Sequence, residues 1–301
     1  MAITAAQVKE LRERTGAPMM ECKKALQAAD GDIETAAETM RREGLAKADK
    51  KAGRVAAEGR IATADDGCSA VLLEVNCETD FVGKNDAFTA FADGVAATAL
   101  AQRPADMEAL AALDLDGEAV EARRRALVAK LGENISLRRL QVLETVGVVG
   151  VYVHGSRIGA AVALTGNDQE LARDVAMHVA ATDPPYGRAE DVPTAARDAE
   201  VAHLKQQAAA SGKPEHIVAK MVAGRIDKWL AEVSLLGQPF VKDPDINVGA
   251  LLERAGAELV GYVRYEVGEG IEKAEEDFAA EVQAQVRQAT PAAADTHDSP
   301  G

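Results

Sequence analysis

Aromatic residues are scarce in this chain of 301 residues, making up 3% of it. Ala, Val and Leu must therefore fill most of any core, and Ala-rich stretches favour helix because alanine has the best intrinsic helix propensity. Basic charge is also short. The formal net charge is −15, which argues against a nucleic-acid surface, since that needs clustered Lys and Arg to replace phosphate counterions. The basic runs Arg41-Arg42, Lys50-Lys51 and Arg123-Arg124-Arg125 are brief and read as solvated helix faces. Three cysteines, Cys22, Cys68 and Cys77, with no CxxC pair, argue against a disulfide framework and a zinc site. Free thiols fit a reducing compartment. No apolar run reaches the about 18 residues that a membrane span needs, and the first helix is polar and amphipathic rather than an apolar signal segment. A soluble, cytoplasmic protein with no membrane contact is expected.

Catalytic patterns are missing too. The five histidines are scattered, without HExxH or any metal-ligand spacing, and no Gly-rich phosphate loop or nucleophile elbow occurs. Val267-Gly268-Glu269-Gly270 lacks the Lys-Ser/Thr of a phosphate loop and reads as the break between a strand and the last helix. No spacing singles out two of the many carboxylates as an acid–base pair. An enzyme, a bound metal and a cofactor are all unexpected.

What is present is organised. Residues 1–44 predict three short helices: Thr4 and Gln7 form a capping box, Thr15-Gly16 and Asp30-Gly31-Asp32 break the run, and Gly44 is expected to stop it. Val8, Leu11, Cys22, Ala25, Leu26, Ile33, Ala36, Ala37 and Met40 fall on inward stripes. Met19 and Met20 sit at a break, where methionine suits an adaptable contact surface, though one of them could equally be core. Residues 46–60 read as a linker or an exposed helical extension. Two similar units follow. The first has strands at 61–64 and 69–75 around Asp65-Asp66-Gly67, a helix at about 85–100, a second helix near 118–131 and a strand at 135–143. The second has strands at 148–153 and 158–164 around His154-Gly155-Ser156 and a helix from Asn167-Asp168 to about 181. Both helices are expected to end in Val-Ala-Ala-Thr, which suggests an internal duplication. An antiparallel helical hairpin is expected at 193–233 around Ser211-Gly212-Lys213-Pro214, with seams at Val201, Leu204, Ala208 and at Ile217, Met221, Val222. A short helix near 247–255, a strand at 258–267, an amphipathic helix at 269–287 and a disordered Ala/Pro/Asp-rich tail complete the chain.

Comparing the two units isolates one addition. The second strand of the second unit reaches its helix through Thr165-Gly166, whereas Cys77 to Lys84 are inserted at that joint in the first. The insert carries Phe81, one of five phenylalanines, among Glu78, Thr79, Asp80, Lys84 and Asn85. A lone Phe commonly tucks into its own domain, but polar neighbours favour display, and an aromatic anchor beside a carboxylate is the composition of an interface hot spot.

The segment Asn76-Cys77-Glu78-Thr79-Asp80-Phe81-Val82-Gly83-Lys84-Asn85 resembles the signature of the bacterial elongation factor Ts family. Leu11 to Leu26, His154 to Gly159, Ser234 to Phe240 and Val267 to Glu272 are similar to further motifs of that family, in order along the chain. Pro18 departs from a frequent glycine. The resemblance implies an α+β fold: a ubiquitin-associated-like three-helix domain and linker at 1–54, core subdomains at 55–146 and 147–268, a coiled-coil hairpin within the second, a docking helix at 269–287 and a tail at 288–301. It implies guanine-nucleotide exchange on elongation factor Tu, with Asp80, Phe81, Val82 and Gly83 binding the partner and dislocating its Mg²⁺. Met19, Met20 and His154 are implied as further contacts, although a turn histidine can simply face solvent. The other reading is a structural module that holds the same partner without opening it. Homodimerisation through the hairpin stays open, because its Ala-rich seam can pack internally or against a second copy.

Overall fold

The Thr4 side chain accepts from Gln7 N while Gln7 Oε1 accepts from Thr4 N, and this reciprocal cap opens α1 (Ala5–Thr15). Gly16, in the left-handed region, closes it. Pro18 precedes α2 (Met19–Ala28), and the Asp32 side chain caps α3 (Ile33–Lys51). Val8, Leu11, Cys22, Leu26 and Ala36 bury a small core among the three helices. The computed structural model describes residues 3–209 and 214–272. Residues 1–269 form one compact unit. The expected helix at 269–287 and the tail lie largely or wholly outside the described residues, as do residues 211–213 of the expected hairpin turn.

Gly44 does not stop α3. The helix runs on to Lys51 as the extension expected in the linker, and Gly44 faces α7 (Val120–Leu131). A Cβ at Gly44 would lie 3.0 Å from Ala129 Cβ, so this glycine permits close helix approach instead of terminating a helix.

After α3 the chain forms β1 (Glu58–Asp65), β2 (Ser69–Cys77), a single turn α4 (Asp80–Gly83), α5 (Asp86–Gln102), α6 (Met107–Ala112), the small hairpin β3 (Asp114–Leu115) and β4 (Glu118–Ala119), α7 and β5 (Ile135–Glu144). The remainder is β6 (Val148–His154), β7 (Ile158–Leu164), α8 (Gln169–Thr182), α9 (Thr194–Ala209), α10 (Glu215–Val233), β8 (Pro239–Phe240), β9 (Asp243–Asn247), α11 (Val248–Arg254) and β10 (Leu259–Glu266). The fold is α+β with antiparallel sheets. Two of them have three strands, ordered β1-β2-β5 and β10-β7-β6. In each a hairpin supplies one edge and the centre, and a strand arriving after intervening helices supplies the other edge.

The central strands are buried on both faces. Along β2, Val71, Leu73, Val75 and Cys77 face a core shared with α5 and α7, while Ala70 and Leu72 face the other sheet. Along β7, Ala160, Val162 and Leu164 face α8 and α11, and Ala161 and Ala163 meet Ile61, Leu72 and Val149. This alternation is the two-residue period of a strand with both faces covered. The result is a helix–sheet–sheet–helix stack. The facing edge strands are also stitched at both ends, by Ile61 N to Ser156 O and Val149 N to Gly67 O, each at 2.8 Å.

One detail of the repeat is corrected. α8 ends at Thr182, but α5 continues past Thr98 to Gln102. The helix stops are set by left-handed caps at Arg103 and Asp183, not by the shared tetrapeptide.

Candidate functional site

The expected loop is a helical turn. Thr79 is its N-cap and accepts from Val82 N at 3.4 Å; Gly83 N and Lys84 N return to Thr79 O and Asp80 O, both at 3.1 Å. Asn85 then caps α5 by accepting from Ala87 N at 2.9 Å, so the chain leaves the turn directly into a second helix. Adjacent residues on a helical turn point in different directions. Phe81 therefore points out, at 83% exposure, while Val82 is buried in the core against α5. Burying a phenylalanine side chain is worth about 1.5–3 kcal/mol, a gain that Phe88, Phe91 and Phe240 take and Phe81 forgoes.

Gly83 and Val82 sit behind this tip. A Cβ at Gly83 would lie 3.3 Å from Gly59 O, so the turn is pressed onto the β1 backbone. Gly59 itself has φ +137°, and a Cβ there would meet Val75 O at 2.1 Å, so only glycine fits beneath the tip. Cys77, at the end of β2, donates its thiol hydrogen to Thr79 O at 3.1 Å. Burial pushes that thiol up to about 12, with Glu133 and Glu58 adding to the effect, so it is a neutral structural donor.

Asp80 Oδ2 accepts from Lys84 Nζ at 2.7 Å. The hydrogen bond and charge of Lys84 hold the Asp80 carboxyl below the usual range, so it is ionised at neutral pH. The tip thus presents a bare aromatic ring beside an anion whose salt-bridge partner among the described residues is an exposed ammonium on a flexible stem. Among the described residues no group of three His, Cys, Asp or Glu side chains is placed to hold a metal ion.

His154 is exposed where β6 turns into β7, its Nδ1 3.3 Å from Tyr152 OH. This turn lies at the same end of the stacked sheets as the tip: Arg157 pairs with Glu58, Glu58 pairs with Cys77 across the strands, and Gly59 abuts Gly83. Met19 and Met20 are both exposed, at 56% and 64%, so neither is core. They stand at the start of α2 in the N-terminal bundle, without a described contact to the tip.

Sequence reasoning missed the support beneath the tip. Glu133, in the loop between α7 and β5, accepts from Glu78 N at 3.1 Å, Thr79 N at 2.9 Å and Thr79 Oγ1 at 2.6 Å. Glu78 in turn accepts from Asn134 N at 2.6 Å. These partners are more than fifty residues apart in the chain, and no local pattern marks them.

Residues 78–269 match the family described as Elongation factor TS. The chain is 58% identical over 290 residues to elongation factor Ts of Idiomarina loihiensis, covering 96% of this chain and 99% of that protein. It is 57% identical over 290 residues to elongation factor Ts of Alkalilimnicola ehrlichii, with 95% and 99% covered, and 55% identical over 288 residues to that of Legionella pneumophila, again with 95% and 99%. With the tip, its turn and the stacked sheets in place, the match over nearly the full length is decisive, and the chain belongs to the elongation factor Ts family.

Proposed function

We propose that Asp80 and Phe81 form a wedge through which this chain drives GDP from elongation factor Tu. As a member of its family the chain is a translation factor that exchanges guanine nucleotide on elongation factor Tu and has no catalytic site of its own. The observation that carries the wedge is Phe81, held 83% exposed beside an ionised carboxylate on a turn clamped from behind. An exposed ring on a rigid base gives a partner something to bury without first ordering a loop. Inserted near the partner's nucleotide site, the ring would displace packed structure and the Asp80 carboxylate would compete for the partner's Mg²⁺. Val82 and Gly83 would serve as the base of the wedge, with His154 and the Met19-Met20 pair as outlying contacts.

Displacement works by coupling. A factor that binds nucleotide-free partner better than GDP-bound partner weakens GDP by the same ratio, at about 1.4 kcal/mol for each tenfold. The choice of GTP over GDP then rests on their concentrations and affinities, not on this chain.

The division of labour follows the fold. Residues 1–54 would be a ubiquitin-associated-like bundle, 55–146 and 147–268 two related subdomains, and 193–233 a hairpin inserted in the second. The matching strand orders of the two sheets support the duplication. In the hairpin, Leu204, Ala208, Val222 and Ile226 are filled against one another within one chain, which leaves self-association through that seam without support. Its place of work would be the cytoplasm, and no helix among the described residues is long and apolar enough to cross a membrane.

Release of a fluorescent GDP from elongation factor Tu tests the wedge. The wild type should accelerate release, and Asp80→Ala/Phe81→Ala should lose most of that acceleration while keeping its fold. A double variant that binds and releases GDP as fast as wild type would sink the wedge. A wild type that binds without accelerating would leave a structural holding module.

A further inference from the structure

One helical turn cannot hold itself, because nucleation fixes several backbone angles for a single hydrogen bond. α4 is four residues long, so its shape must be imposed from outside. Val82 and Cys77 hold its inner side through the core and the Thr79 carbonyl. Neither takes the Glu78 and Thr79 N–H groups from which the turn departs. That is done by Glu133, whose two oxygens take two consecutive N–H groups and the Thr79 hydroxyl. Three donors converging on its two oxygens, two backbone N–H groups and one hydroxyl, leave the side chain one geometry.

The same loop reaches the other way. Asn134 Nδ2 donates to Arg54 O at 2.8 Å, and Lys51 Nζ at the end of α3 donates to Gly132 O. Gly132 to Asn134 therefore join the base of the tip to the stem of the N-terminal bundle.

We propose that Glu133 is a positioning residue for exchange: it pre-sets the tip so that docking of the chain body delivers Asp80 and Phe81 without an ordering step. This rests on the wedge reading above. Without Glu133 the competent tip conformation is only fractionally populated, and that fraction multiplies the rate of the step the tip performs. The body contacts remain, so the concentration of chain giving half-maximal release stays near that of wild type.

The experiment is GDP release from elongation factor Tu over a range of factor concentrations, with melting temperature and amide exchange measured alongside. In Glu133→Ala the maximal release rate should fall about tenfold, the order expected from losing one to two net hydrogen bonds. Half-saturation should move by less than about twofold, as for an interaction used only in the limiting step. Amides of 78–83 should exchange faster while those of β2 do not. Glu133→Gln should restore the rate, since its carbonyl can accept both N–H groups and its amide can donate to Thr79 Oγ1. A Gln variant as slow as Ala, or an Ala variant as fast as wild type, overturns the positioning role. Asp80→Ala/Phe81→Ala in the same assay separates the failures: if it is slow and Glu133→Ala is fast, the wedge survives and the positioning role falls. Should Glu133→Ala not fold, Glu133→Asp, which shortens the reach to the Glu78 and Thr79 N–H groups, must still slow release with unchanged half-saturation or the role is wrong.

Discussion

Phe81 and Val82 are neighbours with opposite fates, and the single turn between Thr79 and Lys84 decides which is which. The sequence made Phe81 conspicuous, because it is aromatic in a chain poor in aromatics and lies in an insert absent from the second unit. It did not reveal that Val82 is the anchor, since a loop and a helical turn carry the same residues. Nor did it find Glu133, whose role exists only once β2 and the α7–β5 loop are side by side. The cysteines give a residue-scale test of the same geometry. Cys77 is buried under the tip with its thiol pushed up to about 12, Cys22 is buried in the bundle, and Cys68 is exposed at the β1–β2 turn. Thiolate, not thiol, reacts with alkylating reagents, so native protein at neutral pH should take up one equivalent of iodoacetamide, at Cys68, with the other two reacting only on denaturation. Peptide mapping that finds rapid labelling of Cys77 would mean the turn opens far more readily than its clamps imply.

At the scale of elements, most of the helices and the strands of both hairpins were legible, because the helices carry a cap or a 3.6-residue period and the strands are apolar runs flanking a recognisable turn. What escaped was short: α4, α6, β3–β4 and β8–β9 are too brief for any periodicity, and they form because larger elements position them. α3 shows the opposite failure, where a true signal was misassigned. Gly44 looked like a stop and is instead a contact, a choice that only the neighbouring Ala129 explains. Substituting Gly44→Leu tests this. Replacing glycine in a helix gains about 1 kcal/mol of propensity, so an exposed position inside the helix would be improved. Against α7 the side chain has no room, and overpacking costs about 1–3 kcal/mol, more than the gain at most of that range. The expected outcome is a lower melting temperature together with faster proteolysis in residues 52–57, where α3 leaves for β1. A raised melting temperature would show that α3 and α7 do not press together here.

Across the whole molecule, the two sheets meet over a small apolar interface whose one end is ionic. The Glu74 carboxylate is fully buried there and accepts from Gly268 N at 2.8 Å, Asn76 Nδ2 at 3.0 Å, Arg138 at 3.0 Å and Arg139 at 2.5 Å. Arg139 also lies 4.1 Å above the Tyr265 ring. Burial raises the Glu74 pKa, but these donors together outweigh it and hold the group below its usual range. On the far side of the second sheet, His178 is buried too. Its Nδ1 accepts from Val241 N at 3.2 Å, so Nε2 carries the hydrogen and donates to Gln238 Oε1 at 2.9 Å. Burial lowers its pKa, so the neutral ring is the folded form. The apolar runs of β2 and β7 made the strands legible in the sequence, yet neither buried titratable group was, because each depends on partners brought from distant strands and loops. Both shifts act in one direction. A histidine with a lowered folded pKa binds its proton more readily when unfolded, so its contribution is present above its ordinary value of about 6.5 and drains away as pH falls below that. Glu74, lowered likewise, contributes above its ordinary carboxylate range and loses that contribution as pH falls through its folded value. Stability should therefore decline in two stages on acidification. The first stage has a slope of at most about 1.4 kcal/mol per pH unit, the limit for one proton. Chemical denaturation from pH 8 to pH 4 should show little change above pH 7, a shallow fall beginning near 6.5 and a steeper one in the carboxylate range. His178→Gln, which can still pair with Gln238, should abolish the first stage and leave the second. If the first stage persists in that variant, the proton is taken up elsewhere and the buried neutral histidine is not its source.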